Sequence, residues 1–168
     1  EIVFTKNASE ALNLAASSLG ASLRPGDEVV VSVMEHHSNI VPWQLIAQRT
    51  GATLRWFDVT DDGRLDLEAA ERDSLINERT KVVSLTWVSN VLGTRNPVAD
   101  IAVQAHAAGA VMVVDASQAV PHQAIDVATL GADLVVDTTA RDFAEAVEER
   151  FGKASVGLVL DPDRKSVV

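Results

Sequence analysis

One acidic side chain stands directly after a run of apolar residues and is followed three positions later by an amide. Residues 111–114 read VMVV, and Asp115 and Gln118 come next. The continuous apolar run predicts a strand buried on both faces, because a half-exposed strand alternates polar and apolar side chains. A carboxylate at the carboxyl end of such a strand lies where open α/β sheets hold their ligands. Asp115 is therefore expected either to cap a following helix or to face a positively charged ligand in a cleft.

Two adjacent histidines follow a second apolar run, at residues 28–33. His36 and His37 suggest a metal site, but neighbouring side chains diverge, and the common zinc spacings separate ligands by two or more positions. We therefore expect no metal at this place. The ring of His36 could instead stack on a planar ligand, or it could be an ordinary surface histidine beside a helix start.

A third polar group, Asn90, lies in the loop 88–97, which follows the predicted strand 81–87. The loop also contains the apolar residues Val91 and Leu92. Apolar side chains in a long loop favour packing against the body of the protein, so we expect this loop to fold inward over a cleft.

A helix start lies near the amino end of the chain, after a strand-like stretch at residues 2–5. Asn7 or Ser9 is a suitable N-cap for the helix, and Glu10 suits the positive end of the helix dipole. The same arrangement also suits a bound anion or phosphate. These residues alone leave both interpretations open.

Strands and helices alternate with short connections along most of the chain. The alternation predicts an α/β fold in which a mostly parallel sheet is covered by helices on both faces, a three-layer αβα arrangement with right-handed crossovers. The tail departs from this pattern, because residues 140–151 predict a helix with Phe143, Val147 and Phe151 on one face, and residues 155–160 predict a last strand. Other predicted strands lie at 2–5, 28–33, 53–57, 81–87, 111–115 and 133–136, and other predicted helices at 11–16, 42–47, 65–76 and 98–108.

The composition narrows the classes of partner. A net charge of −10 argues against nucleic acid, whose phosphates require a basic surface. No apolar run approaches the length of a membrane span and no signal peptide is visible, so we expect a cytoplasmic protein. The chain has no cysteine, which excludes disulfides and a thiol nucleophile within these 168 residues. It begins at Glu1 rather than at a methionine, so we expect further residues in front.

Three segments, in the same order and register, resemble the SufS-type cysteine desulfurases. They read EHHSNIVPWQ at residues 35–44, VSNVLGTRNPV at 88–98 and VDASQAVPH at 114–122. In the third segment the family usually has glycine at the position of Ala116. These enzymes use pyridoxal 5′-phosphate (PLP) and belong to the class V aminotransferases. The resemblance implies that residues 1–168 are one partial PLP-binding large domain, without the family's amino-terminal segment and carboxyl-terminal small domain.

The resemblance implies roles for the side chains around the cofactor ring. Asp115 would pair with the protonated pyridine nitrogen, whose charge makes PLP an electron sink. Gln118 would contact the ring hydroxyl. His36 would stack on the ring and take part in catalysis by moving protons.

The resemblance also implies contacts to the rest of the cofactor. Ser9 and the backbone of Ala8 would hold the phosphate at the helix start, where the family more often has threonine at both positions. Asn90 would lie near the ring hydroxyl and the substrate carboxylate. No metal ligand is implied.

The chain departs from the family after residue 136. Family members have Ser-Gly-His-Lys where this chain reads TTAR at residues 138–141, and the lysine is the residue that attaches PLP. Thr138 keeps a hydroxyl, but Arg141 replaces the lysine, and a guanidinium stays protonated. Lys153 lies closer to the following glycine than the family lysine does. Because the chain also lacks the sulfur-accepting cysteine, we expect it to be inactive alone and to bind PLP without covalent attachment.

Three functions follow from the resemblance. The first is the core of a cysteine desulfurase, which takes sulfur from L-cysteine, leaves alanine, and supplies a persulfide for iron–sulfur cluster assembly as a homodimer. The second is a non-catalytic binding module that keeps only the sheet and a weak ligand site. The third is the core of a selenocysteine lyase or another class V aminotransferase.

Overall fold

The computed structural model describes residues 2–137 and 158–160. The predicted helix 140–151, Thr138, Arg141 and Lys153 lie outside the described residues, as does the first half of the predicted strand 155–160. In chain order the elements are β1 (Ile2–Val3), α1 (Ala8–Gly20), β2 (Glu28–Ser32), a 3₁₀ turn (His37–Asn39), α2 (Val41–Thr50), β3 (Thr53–Phe57), α3 (Leu67–Arg72), β4 (Thr80–Thr86), α4 (Val98–Ala107), β5 (Val111–Asp115), α5 (Val127–Leu130), β6 (Leu134–Val136) and β7 (Leu158–Leu160).

The described strands form one sheet of seven in the order β1-β7-β6-β5-β4-β2-β3. Neighbouring strands from β6 across to β3 are parallel, whereas β7 is antiparallel to both β1 and β6. In the centre of the sheet, Thr86 at the end of β4 pairs with Asp115 at the end of β5. The predicted mostly parallel sheet is therefore confirmed. It also follows that the carboxyl ends of all strands except β7 lie at one edge.

Helices cover both faces of the sheet, as predicted. Alternate side chains of each central strand enter opposite cores: Val31 packs with α1 and α2 on one face, whereas Val30 packs with α4 and α5 on the other. All five residues of β2 are buried, which explains why the sequence of a central strand shows no alternation. This three-layer packing holds the strand ends, and whatever follows them, in fixed positions.

Local sequence signals account for most helix boundaries. Asn7 is the N-cap of α1, and its side chain accepts a hydrogen bond from the Glu10 N–H at 2.9 Å. The helix α2 has Pro42 in its first turn and ends at Gly51, whose φ of 78° is the left-handed conformation that glycine adopts freely. The predicted helix 65–76 is shorter than expected and spans Leu67–Arg72.

A charged cluster ties down the amino end of β2. Glu28, the first residue of the strand, is buried, and its carboxylate lies 2.8 Å from the guanidinium of Arg79 and 3.2 Å from that of Arg55. The Asn77 amide also donates to it at 2.8 Å. Burial by itself would raise the pKa of Glu28, but the amide and the two guanidinium groups outweigh burial and lower it. Glu28 is therefore ionised and compensated.

A second clamp lies at the same end of the sheet. The ring of His106, in the last turn of α4, lies 2.9 Å from the Asp133 carboxylate, measured from Nε2 to Oδ2. The Met112 N–H donates to the same oxygen at 2.7 Å, and the Asp133 N–H donates to the Met112 carbonyl. The end of α4 and the starts of β5 and β6 are thus joined through one carboxylate.

Candidate functional site

Asp115 lies at the carboxyl end of β5 and is 4% exposed. Its backbone is held on one side, because its carbonyl accepts a hydrogen bond from the Trp87 N–H. The side-chain Oδ1 accepts hydrogen bonds from the Ser117 N–H at 3.0 Å and the Ser117 hydroxyl at 2.6 Å. Asp115 therefore caps a turn rather than a regular helix. It is a buried carboxylate at the ligand-binding edge of the sheet, and both of these donors are neutral.

Glu35 is a second buried carboxyl group at this edge, and the sequence did not single it out. It follows β2, and its side chain accepts hydrogen bonds from the Ser32 hydroxyl at 2.5 Å and the Asn39 amide at 2.7 Å. Burial raises the pKa of Glu35 to about 7, partly offset by these donors, and the negative charge of Asp115 acts in the same direction as burial.

The hydrogen bonds of Glu35 continue into the core through Asn39, which is fully buried. The Asn39 carbonyl oxygen accepts a hydrogen bond from the Ser84 hydroxyl at 2.6 Å and one from the Trp43 indole N–H at 3.2 Å. Strand β4, the 3₁₀ turn and helix α2 are therefore joined by one buried polar network. Such networks fix geometry well when every member is satisfied.

His36 lies between the two anchored positions and is itself exposed. Its Nδ1 accepts the Ser38 N–H at 3.2 Å and lies 2.8 Å from the Ser38 hydroxyl, so the ring caps the 3₁₀ turn. A neutral ring that accepts at Nδ1 carries its proton on Nε2. The Nε2 nitrogen of the exposed His36 ring is thus available to a ligand. The described residues contain no group of three or more metal-ligating side chains.

The start of α1 lies at the same edge, because β1 runs parallel to β6 through their shared antiparallel neighbour β7. Ala8 is buried and Ser9 is exposed. In the first turn of a helix the N–H groups have no helical partner, which leaves those of Ala8 and Ser9 for an anion. Glu10 folds back over the same turn and accepts the Lys6 N–H, so a bound anion would meet one exposed carboxylate there.

The remaining predicted site residues lie in the turns beyond β4 and β5. Gln118 is half-buried in the turn that Asp115 caps, and Asn90 is exposed. Ala116, where the resembled family has glycine, is fully buried in the hydrophobic core. The structure therefore brings Asp115, Gln118 and the His36 turn to the middle of the edge. Ser9 lies at the start of α1, which follows β1. In the sheet β1 is three strands away from β5, or about 14 Å at the usual strand spacing.

The expectation that the loop 88–97 packs inward through its apolar residues is wrong. Val91 is 87% exposed and Leu92 is 50% exposed. The loop forms a tight hairpin, in which the Ser89 N–H donates to the Thr94 carbonyl and the Gly93 N–H donates to the Ser89 carbonyl. Its tip, including Asn90, therefore extends into solvent.

Charge distinguishes this edge from the rest of the sheet. Within residues 2–137 and 158–160, no ion pair joins Glu35 or Asp115 to a lysine, arginine or histidine. A buried negative charge of this kind favours a cationic group of a ligand.

Comparison with known proteins supports the same family. The family model for class V aminotransferases matches residues 1–139. The chain is 57% identical over 143 residues to a probable cysteine desulfurase of Streptomyces coelicolor, covering 82% of the chain. It is 48% identical over 160 residues to a cysteine desulfurase of Dickeya dadantii, covering 95% of the chain.

Solved structures agree with the sequence relatives. The cysteine desulfurase CsdA of Escherichia coli, in its S-sulfonic acid form, superposes with a TM-score of 0.76 at 36% identity and covers 81% of the chain. The apo cysteine desulfurase of Thermococcus onnurineus gives a TM-score of 0.75 at 41% identity and covers 82%. The match spans 34% of each of these two chains, and 34% and 36% of the two sequence relatives. This chain belongs to the class V aminotransferase family, and its relatives there are cysteine desulfurases.

Proposed function

We propose that this chain is the PLP-binding core of a cysteine desulfurase. The observation that carries the proposal is Asp115, a buried carboxylate at the carboxyl edge of a parallel sheet with no cation paired to it among the described residues. A protonated pyridine nitrogen is the cation that such a group suits. The residues present fit the ring end of PLP, and the first turn of α1 fits an anionic group such as its phosphate.

Each residue then has a stated task. Asp115 would hold the proton on the pyridine nitrogen and Gln118 would donate to the ring hydroxyl. His36 would cover the ring, and its nitrogen that is not bonded to Ser38 would be free to move a proton. Ser9 and the backbone of Ala8 would bind the phosphate, whereas Asn90, exposed in its hairpin, would have to move inward to reach the ring hydroxyl. When bound, PLP supplies an electron sink for cleavage at a substrate carbon.

The parent reaction removes sulfur from L-cysteine, leaving alanine, and passes that sulfur to a cysteine thiolate as a persulfide for iron–sulfur cluster assembly. We propose that it takes place in the cytoplasm and in a homodimer. The 168 residues contain no cysteine to accept sulfur, and Arg141 stands where the resembled family has its PLP-attaching lysine. The chain alone is therefore proposed to hold PLP non-covalently and not to turn over L-cysteine. The residues present suit a selenocysteine lyase or another class V enzyme equally well at the ring.

A direct test is to titrate the chain with PLP and follow the change in the visible absorbance of the cofactor. Borohydride reduction and mass spectrometry then show whether any lysine carries it. We expect saturable binding, no reduced adduct on Lys153 or another lysine, and no alanine released from L-cysteine. Absence of any saturable binding would contradict the proposal and would favour the alternative of a module without a cofactor. That alternative is motivated by the replaced lysine position.

A further inference from the structure

We propose that Glu35 is a positioning residue that fixes His36 above the ring site and does so through hydrogen bonds to the end of β2 and to the 3₁₀ turn. This inference deepens the proposed function and rests on it for the identity of the ligand. It concerns a residue that would not touch the ring, because its own side chain is turned into the protein and buried.

The contacts of Glu35 explain why the position of His36 depends on it. The chain leaves β2 at Ser32 and enters the 3₁₀ turn at His37, so His36 lies in a short connection between these two elements. The Glu35 carboxyl group links both ends of this connection, because one of its oxygens accepts from Ser32 and the other from Asn39. The Asn39 carbonyl oxygen in turn accepts a hydrogen bond from the Ser84 hydroxyl, which connects the turn to β4.

The second half of the network prevents Asn39 from moving independently. Its amide oxygen is already occupied by Ser84 and Trp43, so its amide nitrogen faces Glu35. Removal of the Glu35 carboxyl group would leave that buried nitrogen without this acceptor. Buried donors that lose a partner are costly, and we expect the turn to shift until they find another one.

The same carboxyl group lies close to the residue proposed to hold the pyridine nitrogen. Thr86, the last residue of β4, pairs with Asp115, the last residue of β5. Only β4 lies between β5 and β2, the strand that leads to Glu35, and the negative charge of Asp115 helps to raise the pKa of Glu35. The titratable groups at this place are Asp115 on β5 and His36 on the turn, while Ser84 and Thr86 on β4 are neutral. Glu35 thus fixes the position of His36 relative to the ring site. It also contributes to the electrostatic field at the place proposed for the protonated pyridine nitrogen.

The tautomer of His36 provides a readout that does not require PLP. In the wild-type chain the bonds from Ser38 to Nδ1 favour the Nε2–H form, which ring ¹⁵N chemical shifts report directly. We expect Glu35→Ala to produce a mixture of tautomers and to weaken PLP affinity roughly tenfold, as loss of a supporting residue behind a binding group does. Glu35→Gln keeps an acceptor and is expected to restore both properties to near the wild-type values.

The matched control is Glu28→Gln, which alters the other buried glutamate of the same strand region without touching the His36 turn. It should lower stability and leave the His36 tautomer and the PLP affinity unchanged. If Glu35→Ala does not fold, Ser84→Ala removes one hydrogen bond from Asn39 and takes its place. An unchanged His36 tautomer in the folded variant, or an equal change in the control, would overturn the proposal. Failure of the wild-type chain to bind PLP would instead count against the proposed function, because the tautomer is measured without PLP.

Discussion

Two buried glutamates, one at the start of β2 and one just beyond its end, differ in their partners and in the direction of their pKa shifts. At the amino end, Glu28 is surrounded by Arg55, Arg79 and Asn77, and its pKa is lowered. At the carboxyl end, Glu35 receives only neutral donors in the described structure, and burial raises its pKa to about 7. The same residue type is thus paired with cations where β2 begins and left without a paired cation, among the described residues, just beyond the end of β2.

The difference separates the parts of this sheet that support the fold from those that support a site. At the amino end the charge of Glu28 is neutralised by arginines of the same chain, which suits a structural role. At the edge where ligands bind to such folds, Glu35 and Asp115 have no cationic partner among the described residues. Buried carboxylates without a paired cation lower the stability of the folded chain, and a bound cation would restore it.

The largest expected effect is on the pH dependence of stability at the carboxyl end. The folded-state pKa of Glu35, at about 7, lies above its unfolded value near 4.5. A raised pKa means that the stabilising contribution is complete below pH 4.5 and is lost as the pH rises through 7. The loss amounts to about 3 kcal/mol at most. Chemical denaturation between pH 5 and pH 9 should therefore show the wild type falling relative to Glu35→Gln, and parallel curves would contradict the comparison.

A smaller effect of opposite sign is expected at the amino end. Because the pKa of Glu28 is lowered, its contribution is present above pH 4.5 and is lost as the pH falls through the folded-state pKa. Glu28→Gln should cost about 2 kcal/mol at neutral pH, the size of hydrogen bonds to a charged group. The cost should shrink toward pH 3 in the same denaturation series. A cost that stays constant with pH would mean that packing, and not charge, explains it.

The smallest effect is expected at the second amino-end clamp. His106→Ala removes the contact to Asp133 and should destabilise the chain by about 1 kcal/mol, a typical single hydrogen bond. Thermal unfolding measures the loss. PLP binding should be unaffected, because the clamp lies at the opposite end of the sheet from Asp115. A fall in PLP affinity larger than the loss of folded protein accounts for would contradict the view that the amino end of the sheet supports only the fold.

The sequence alone predicted the central strands and the place of Asp115, because continuous apolar runs such as VMVV occur in strands buried on both faces. It did not predict that β7 lies antiparallel between β1 and β6, since periodicity contains no information on pairing partners. The hairpin at 88–97 was misread because inward packing was inferred from Val91 and Leu92, whereas backbone hydrogen bonds from Ser89 and Gly93 decide its shape.

Glu35 was missed for a related reason. Two of its partners are local, Ser32 three residues before it and Asn39 four residues after it, and that spacing is a signal that could have been used. Ser84, however, reaches Asn39 from β4, 45 positions away. Long-range contacts of this kind depend on strand order, which appears only in the folded chain.

The central claim is that the uncompensated carboxylate of Asp115 binds the protonated ring of PLP. Its most direct test is equilibrium titration of PLP into the wild type, Asp115→Asn and the control Glu28→Gln at neutral pH, with folding of each variant verified by circular dichroism. We predict that Asp115→Asn lowers the affinity about 100-fold, equivalent to about 2.7 kcal/mol, because the charge opposite the pyridine nitrogen is lost. Glu28→Gln should bind like the wild type. Equal affinity in the wild type and Asp115→Asn would contradict the claim.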